Sequence, residues 1–257
     1  MSKRMKHLVL GPAAMGIYAM VGALKYTEED LKQVKEISGA SAGAILALFL
    51  ALGFSIDEIT EICFSVDVPK FVKLKVGSFF NKFGFVEMEP IKEALREICK
   101  ADPTFEEIDK KIYISAYCLN TKETVYFSKD THPTMKIIDA VCMSMAIPVI
   151  FASAKHDGFT YVDGGTAETY PIAPFLNKKP HEITCLKLKS EKRYTEKIEN
   201  PREFLECLIT ASINNRMQDN VSGARVIEIP TDDVNIFDFN LSYEEKIKLY
   251  NIGYFFL

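Results

Sequence analysis

The chain has 257 residues, 48% of them hydrophobic, and a formal net charge of −4. That is enough for one substantial core, read here as a single α/β domain over 1–257. The mild acidity excludes the strongly basic footprint of a nucleic-acid protein. Lys3, Arg4 and Lys6 precede an uncharged stretch from Leu8 to Leu24 that superficially resembles a secretion signal. Gly11, Pro12 and Gly16 interrupt it. It reads better as a buried strand (Leu8–Leu10), a small-residue loop and a helix from about Gly16.

A second strand is expected over Val34–Ser38, then a turn, then an apolar helix from Ala44 to Leu52. The apolar run ends at Phe54, too short to cross a bilayer. Helical spacing returns over Ile56–Cys63 and Met88–Cys99, where Pro90 suits a first turn. Between them, Lys70 to Phe85 combines lysines with phenylalanines. This segment is expected to meet a lipid surface, against the plainer reading of core phenylalanines and solvated lysines. Strands are expected at Ile112–Tyr117, Val125–Ser128, Phe159–Val162, Ile183–Leu188 and Val226–Ile229. Helices are expected at Met135–Met145, ending before Pro148, and at Phe204–Met217. Ser242 and Glu245 form a capping box for a last helix. Alternating strands and helices predict a three-layer α/β sandwich with a mostly parallel central sheet flanked by helices.

The six cysteines (Cys63, Cys99, Cys118, Cys142, Cys185, Cys207) are scattered and none has C-x-x-C spacing. They read as buried thiols of a reducing compartment, not as a disulfide frame or zinc site. A cytoplasmic protein is predicted, either free or peripheral at a membrane.

The segment Gly39-Ala40-Ser41-Ala42-Gly43 sits between the second strand and its helix. Strand, sharp turn and helix form a nucleophile elbow. Glycines permit the close approach of strand and helix, and the helix N-terminus behind the serine stabilises negative charge. A serine hydroxyl needs a base. His7, His132, His156 and His181 all read as solvated loop residues. His181 is the strongest of them, because Ser41, Asp163 and His181 follow the Ser…Asp…His order of α/β-hydrolases. Asp163 competes as a direct partner. It ends an apolar strand before Gly164-Gly165, and open α/β sheets place ligands at strand carboxyl ends. The plainer reading is a turn-opening Asp-Gly pair.

Gly39-Ala40-Ser41-Ala42-Gly43 with Asp163-Gly164-Gly165 resembles the patatin-like phospholipases. Ala140-Val141-Cys142-Met143-Ser144-Met145-Ala146-Ile147-Pro148 with Phe151, Pro103-Thr104-Phe105, Gly84-Phe85-Val86 and Asp238–Ser242 through Gly253-Tyr254 extend the likeness over essentially the whole chain. The resemblance implies a Ser41–Asp163 dyad without histidine, metal or cofactor. Ser41 would attack a lipid ester and Asp163 would take its proton. The substrate would be a phospholipid or another acyl-ester lipid, with a phospholipase A or lysophospholipase type of reaction.

The likeness breaks at the oxyanion loop, Gly11-Pro12-Ala13-Ala14-Met15-Gly16. The outer glycines remain. Pro12 replaces a glycine and has no N–H, and Met15 stands where a basic residue is expected. Either the loop is weakened, so that Pro12→Gly raises turnover, or it shifts by one residue and Ala13 and Ala14 donate together. The alternative function is a patatin-fold protein that binds lipid or a partner and hydrolyses little.

Overall fold

The computed structural model describes residues 5–189, 197–200, 203–204, 207–208, 211, 222–231 and 234–255. In chain order the elements are β1 (His7–Leu10), α1 (Ile17–Tyr26), α2 (Glu28–Leu31), β2 (Glu36–Ala40), α3 (Ala42–Ala51), α4 (Ile56–Ser65), α5 (Val76–Lys82), β3 (Gly84–Val86) and α6 (Glu89–Cys99). There follow β4 (Lys111–Cys118), β5 (Glu123–Ser128), α7 (Ile137–Ser144), β6 (Val149–Phe151), β7 (Ala154–His156), β8 (Phe159–Asp163), β9 (Ile183–Leu188), β10 (Arg225–Ile229) and α8 (Tyr243–Phe255). The helix expected over Phe204–Met217 lies largely outside the described residues.

The main sheet runs β10-β9-β1-β2-β4-β8-β7, with β5 also paired to β4. From β10 to β4 every pairing is parallel. β8 and β5 both run antiparallel to β4, and β7 runs antiparallel to β8. The expected α/β sandwich is therefore present, with an antiparallel margin. The three-residue strands β3 and β6 pair in a separate small sheet. Neither they nor β7 were expected, because periodicity needs more than three residues to show.

Alternation along the strands divides the core into two faces. Leu8, Leu10, Ile37, Ile112, Ile114 and Leu186 join the large cluster with α1, α3, α4, α7 and α8. Val9, Ile183 and Cys185 pack on the other side against Tyr170, Ile172 and Phe175. These last come from the connection between β8 and β9, whose regular structure is short 3-10 turns and not a long helix. α3 is buried almost all round, which its uninterrupted apolar sequence requires. Reciprocal bonds between Ser55 and Glu58, and between Ser242 and Glu245, close the first turns of α4 and α8. The cysteines at positions 63, 99, 118, 142 and 185 are buried and Cys207 is half-buried, none of them in a disulfide.

His7 corrects the expectation of four solvated histidines. It is buried within β1, and its Nδ1 lies 2.8 Å from Glu36 Oε2 on β2. Lys178 Nζ reaches the same Glu36 oxygen at 2.8 Å. Burial pushes the His7 pKa below 6.5, and Lys178 pushes it the same way, while Glu36 and Glu182 oppose. His132 is half-buried against Phe127 and beside His156, and burial lowers its pKa too. A folded pKa below the unfolded one means that the unfolded chain binds protons more readily. The histidine contribution to stability is therefore full above pH 6.5 and is lost as pH falls through the depressed folded values. Thermal melts should show a lower Tm near pH 5.5 than near pH 7.5. His7→Gln should flatten part of that slope; an unchanged slope would remove His7 from the explanation.

Candidate active site

The site forms where β2 stops. Gly39 and Gly43 let α3 fold back onto the strand it follows. A Cβ on Gly39 would fall 2.5 Å from Gly43 O, and one on Gly43 would fall 2.4 Å from Leu10 O. Neither distance is tolerable, so only glycine fits. Between them Ser41 takes φ 55° and ψ −125°, a conformation outside the usual regions for a residue with a side chain. Strand, sharp turn and helix follow one another here, from Glu36–Ala40 through Ser41 to Ala42–Ala51. Ser41 is buried, and its N–H donates to Ser144 Oγ at 2.8 Å.

β8 brings Asp163 to the same place by an unexpected route. β2 pairs with β4 as far as Ala40 opposite Ser115. β8 pairs with β4 from Cys118 back to Ala116, with Asp163 opposite Ala116. β5 occupies the other edge of β4 over the same residues. A strand has two edges, so β2 and β8 must share one, end to end. Ser41 turns away where β2 would next meet Ala116, and Asp163 takes that register position from the opposite direction. The two residues flank one junction. Both residues stand at strand carboxyl ends, and the two ends meet head to head along the edge of β4.

Asp163 is buried. Its Oδ1 accepts from Gly165 N–H at 2.6 Å, and its own N–H donates to Ala146 O at 2.8 Å. Ser144 and Ala146 are two residues apart. One short strap after α7 thus holds the backbone of Ser41 and the backbone of Asp163. Sequence reasoning gave Ser144 no role; its only signal was a small polar residue within the apolar run from Ala140 to Ile147.

Ser41 forms part of the wall of an apolar cavity of about 170 Å³. α1, α3, α4 and α6 surround it, with Phe71 and Val72 from the connection before α5. Met15, expected to be a basic residue by the resemblance, is buried and lines this cavity. Cys63 lines it as well, but burial pushes its thiol up to about 12, which keeps it protonated and poorly nucleophilic.

The loop after β1 crosses the same region. Gly11 N–H donates to Leu186 O at 2.9 Å, Met15 N–H to Ile236 O at 3.0 Å, and Gly16 N–H to Ala13 O at 2.8 Å. Gly11 and Gly16, expected within an oxyanion hole, therefore have their amides occupied. Among the described residues no protein acceptor takes the N–H of Ala13 or Ala14. Ala14 has φ 45°, a strained value for alanine, and lines the Ser41 cavity. The Pro12 ring packs on the turn after Asp163: a Cβ on Gly165 would fall 2.6 Å from Pro12 Cβ. Gly164 needs the same smallness, because its Cβ would fall 2.2 Å from Ser115 O.

His181 is excluded as a partner of Ser41. It is exposed in the turn before β9. Parallel pairing sets Ile183 opposite His7, at the amino ends of the strands, whereas Ser41 lies beyond their carboxyl ends. His132 and His156 gather around Phe127.

The patatin-like phospholipase family model matches residues 8–176, which include both Ser41 and Asp163. The chain belongs to this family. Uncharacterized protein R571 of Acanthamoeba polyphaga mimivirus is 31% identical, over 97% of this chain and 91% of that one. A protein named probable lipid hydrolase 463L, from Invertebrate iridescent virus 6, is 28% identical over 69% of this chain and 66% of its own length. Among solved structures, VipD from Legionella pneumophila superposes with TM-score 0.69 at 17% identity, covering 98% of this chain and 65% of VipD. ExoU, a type III effector, gives 0.57 at 18% identity, with 98% and 51% covered. At those identities the two structures establish the patatin-like fold alone. No helix among the described residues is long and apolar enough to cross a membrane.

Proposed function

We propose that this patatin-like protein is a lipid acyl hydrolase of phospholipase A or lysophospholipase type, acting through Ser41 and Asp163. The observation that carries the reading is the junction at Ala116. There a strained serine that lines an apolar cavity and a buried carboxylate stand where two strands end head to head.

In this reading Ser41 Oγ attacks the ester carbonyl and Asp163 takes the hydroxyl proton. The tetrahedral intermediate collapses, the C–O bond to the leaving alcohol breaks, and Asp163 returns the proton to that alcohol. Water then attacks the acyl-serine with Asp163 again as base, the bond from the acyl carbon to Ser41 Oγ breaks, Asp163 returns the proton to Oγ, and a fatty acid leaves. The acyl chain occupies the cavity walled by Ile45, Phe49, Leu95 and their neighbours.

Each methylene moved from water to that cavity contributes about 0.8 kcal/mol, or roughly fourfold in kcat/KM. Fatty-acid release from esters of increasing chain length tests the function. The expected result is a rise in kcat/KM until the cavity is full, and a selective loss for long chains in Ala94→Phe, which narrows it. No release from any ester by well-folded protein would reject the reading in favour of a binding role.

The N–H groups of Ala13 and Ala14, which meet no acceptor among the described residues, serve as the oxyanion donors. This is the shifted loop, and it reverses the expectation for Pro12. Replacing the proline with glycine restores an N–H at the wrong position, removes the packing against Gly165 and loosens the loop. Pro12→Gly is expected to turn over the same ester at an equal or severalfold lower rate. A higher rate would show that the native loop is one donor short.

A further inference from the structure

The connection and helix before β3 carry an apolar face that none of the described residues covers. Leu74, Val76, Phe80 and Phe83 are 73, 67, 75 and 59% exposed. Lys70, Lys73, Lys75 and Lys82 lie among them, and residues 70–85 contain no carboxylate in a chain of net charge −4. Lys70 pairs with Asp67, and Lys75 and Lys82 share Glu87. Among the described residues Lys73 has no ion pair.

We propose that this face docks on a bilayer surface containing anionic phospholipid, and thereby sets the mouth of the Ser41 cavity against the membrane. The proposal rests on the acyl-hydrolase reading for its purpose, though not for its chemistry. Apolar side chains project beside lysines, the combination that an interfacial element uses to seat in headgroups. The opposite side of the same segment is part of the cavity: Val68, Phe71 and Val72 line it.

The face is also firmly mounted. Lys75 N–H donates to Phe85 O at 2.7 Å, and Phe79 stacks on Phe85 with ring centroids 4.8 Å apart. Gly84 lies so close to β6 that a Cβ would fall 2.1 Å from Phe151 O. Ser153 N–H donates to Lys82 O at 2.9 Å, and Phe151 itself lines the cavity. A surface held on the cavity wall in this way positions the cavity wherever it docks. The phenylalanines divide between the two readings of the sequence: Phe71, Phe79 and Phe85 are half-buried, and Phe80 and Phe83 project outward.

The test is co-sedimentation with vesicles of ether-linked phosphatidylcholine, with and without ether-linked phosphatidylserine, which the proposed activity cannot cleave. Turnover of a soluble short-chain ester is followed in parallel. Wild type should bind the anionic vesicles more tightly, and added salt should weaken the difference. Leu74→Ser with Phe80→Ser and Phe83→Ser should lower partitioning at least about tenfold. Lys73→Glu, a change at an exposed position, should lower it about fivefold or more on anionic vesicles alone. All variants should keep soluble-ester turnover within about twofold of wild type, since none of these residues lines the cavity. Wild type that fails to bind anionic vesicles, or variants that bind as wild type does, would overturn the proposal and leave the face to another class of partner. Failure of the hydrolase reading looks different: vesicle binding that depends on Phe80, Phe83 and Lys73 without turnover of any ester.

Discussion

Ser41→Ala and Asp163→Asn are each expected to reduce ester turnover by at least about 10³-fold, with little change in melting temperature. Alanine removes the attacking oxygen and leaves the elbow's backbone to the glycines. Asparagine keeps an oxygen that can accept from Gly165 N–H, where Asp163 Oδ1 does so at 2.6 Å. It preserves the shape of the turn but cannot take a proton from Ser41. Two groups that act on one step lose activity as a unit, so the double variant should be little worse than either single. Turnover measurements on all three, with melts as controls, check this. Most of the activity surviving in Asp163→Asn would end the dyad. The His181→Ala variant should be as active as wild type, because its position at the other end of the sheet leaves no route to Ser41.

Ser144→Ala should give the next largest loss, about 10²-fold in kcat with KM little changed. The residue touches no substrate. It holds Ser41 N–H at 2.8 Å, next to Ala146, whose carbonyl holds Asp163 N–H at 2.8 Å. Without its hydroxyl a buried N–H at a strained residue is left unpaired, which costs about 1–3 kcal/mol and frees the turn to relax. Relaxation moves the attacking oxygen relative to its base, so the loss falls on the chemical step. Ser144→Thr keeps the hydroxyl and should recover most of the rate. Steady-state kinetics on the three proteins separate this positioning role from a general loss of stability, which would lower the active fraction equally in both variants. Unchanged kcat in Ser144→Ala would show that the glycines alone hold the elbow.

What the sequence made legible was local. The elbow could be read because Gly39, Ser41 and Gly43 answer a steric demand within five residues, and the contacts at Leu10 O and Gly43 O show that demand directly. Strand positions were legible from apolar runs, and β9 matches its expected bounds of Ile183–Leu188. Strand direction was not, since an alternating pattern reads the same in either sense. The head-to-head meeting of β2 and β8 was therefore hidden, although both of its residues had been singled out. His7 was misread by one residue of strand boundary, which separates a solvated loop from a buried strand position beside Glu36. The cavity was hidden for a different reason. Its walls come from α1, α3, α4 and α6, and helical spacing reports that a face is buried, not whether the space it covers is filled. The oxyanion loop falls between these cases. Pro12 marked the departure, while the carbonyls of Leu186 and Ile236 that occupy the amides of Gly11 and Met15 lie on distant segments.

The central claim is that Ser41 is an activated nucleophile and that Asp163 activates it. Labelling with a fluorophosphonate, followed by mass spectrometry of the digested protein, tests it most directly, because the reagent bonds to an activated serine without needing the right lipid. The account predicts a single adduct on the peptide carrying Ser41, absent in Ser41→Ala and slowed by at least about 10²-fold in Asp163→Asn. No adduct on folded wild-type protein, an adduct on another residue, or undiminished labelling in Asp163→Asn would contradict it.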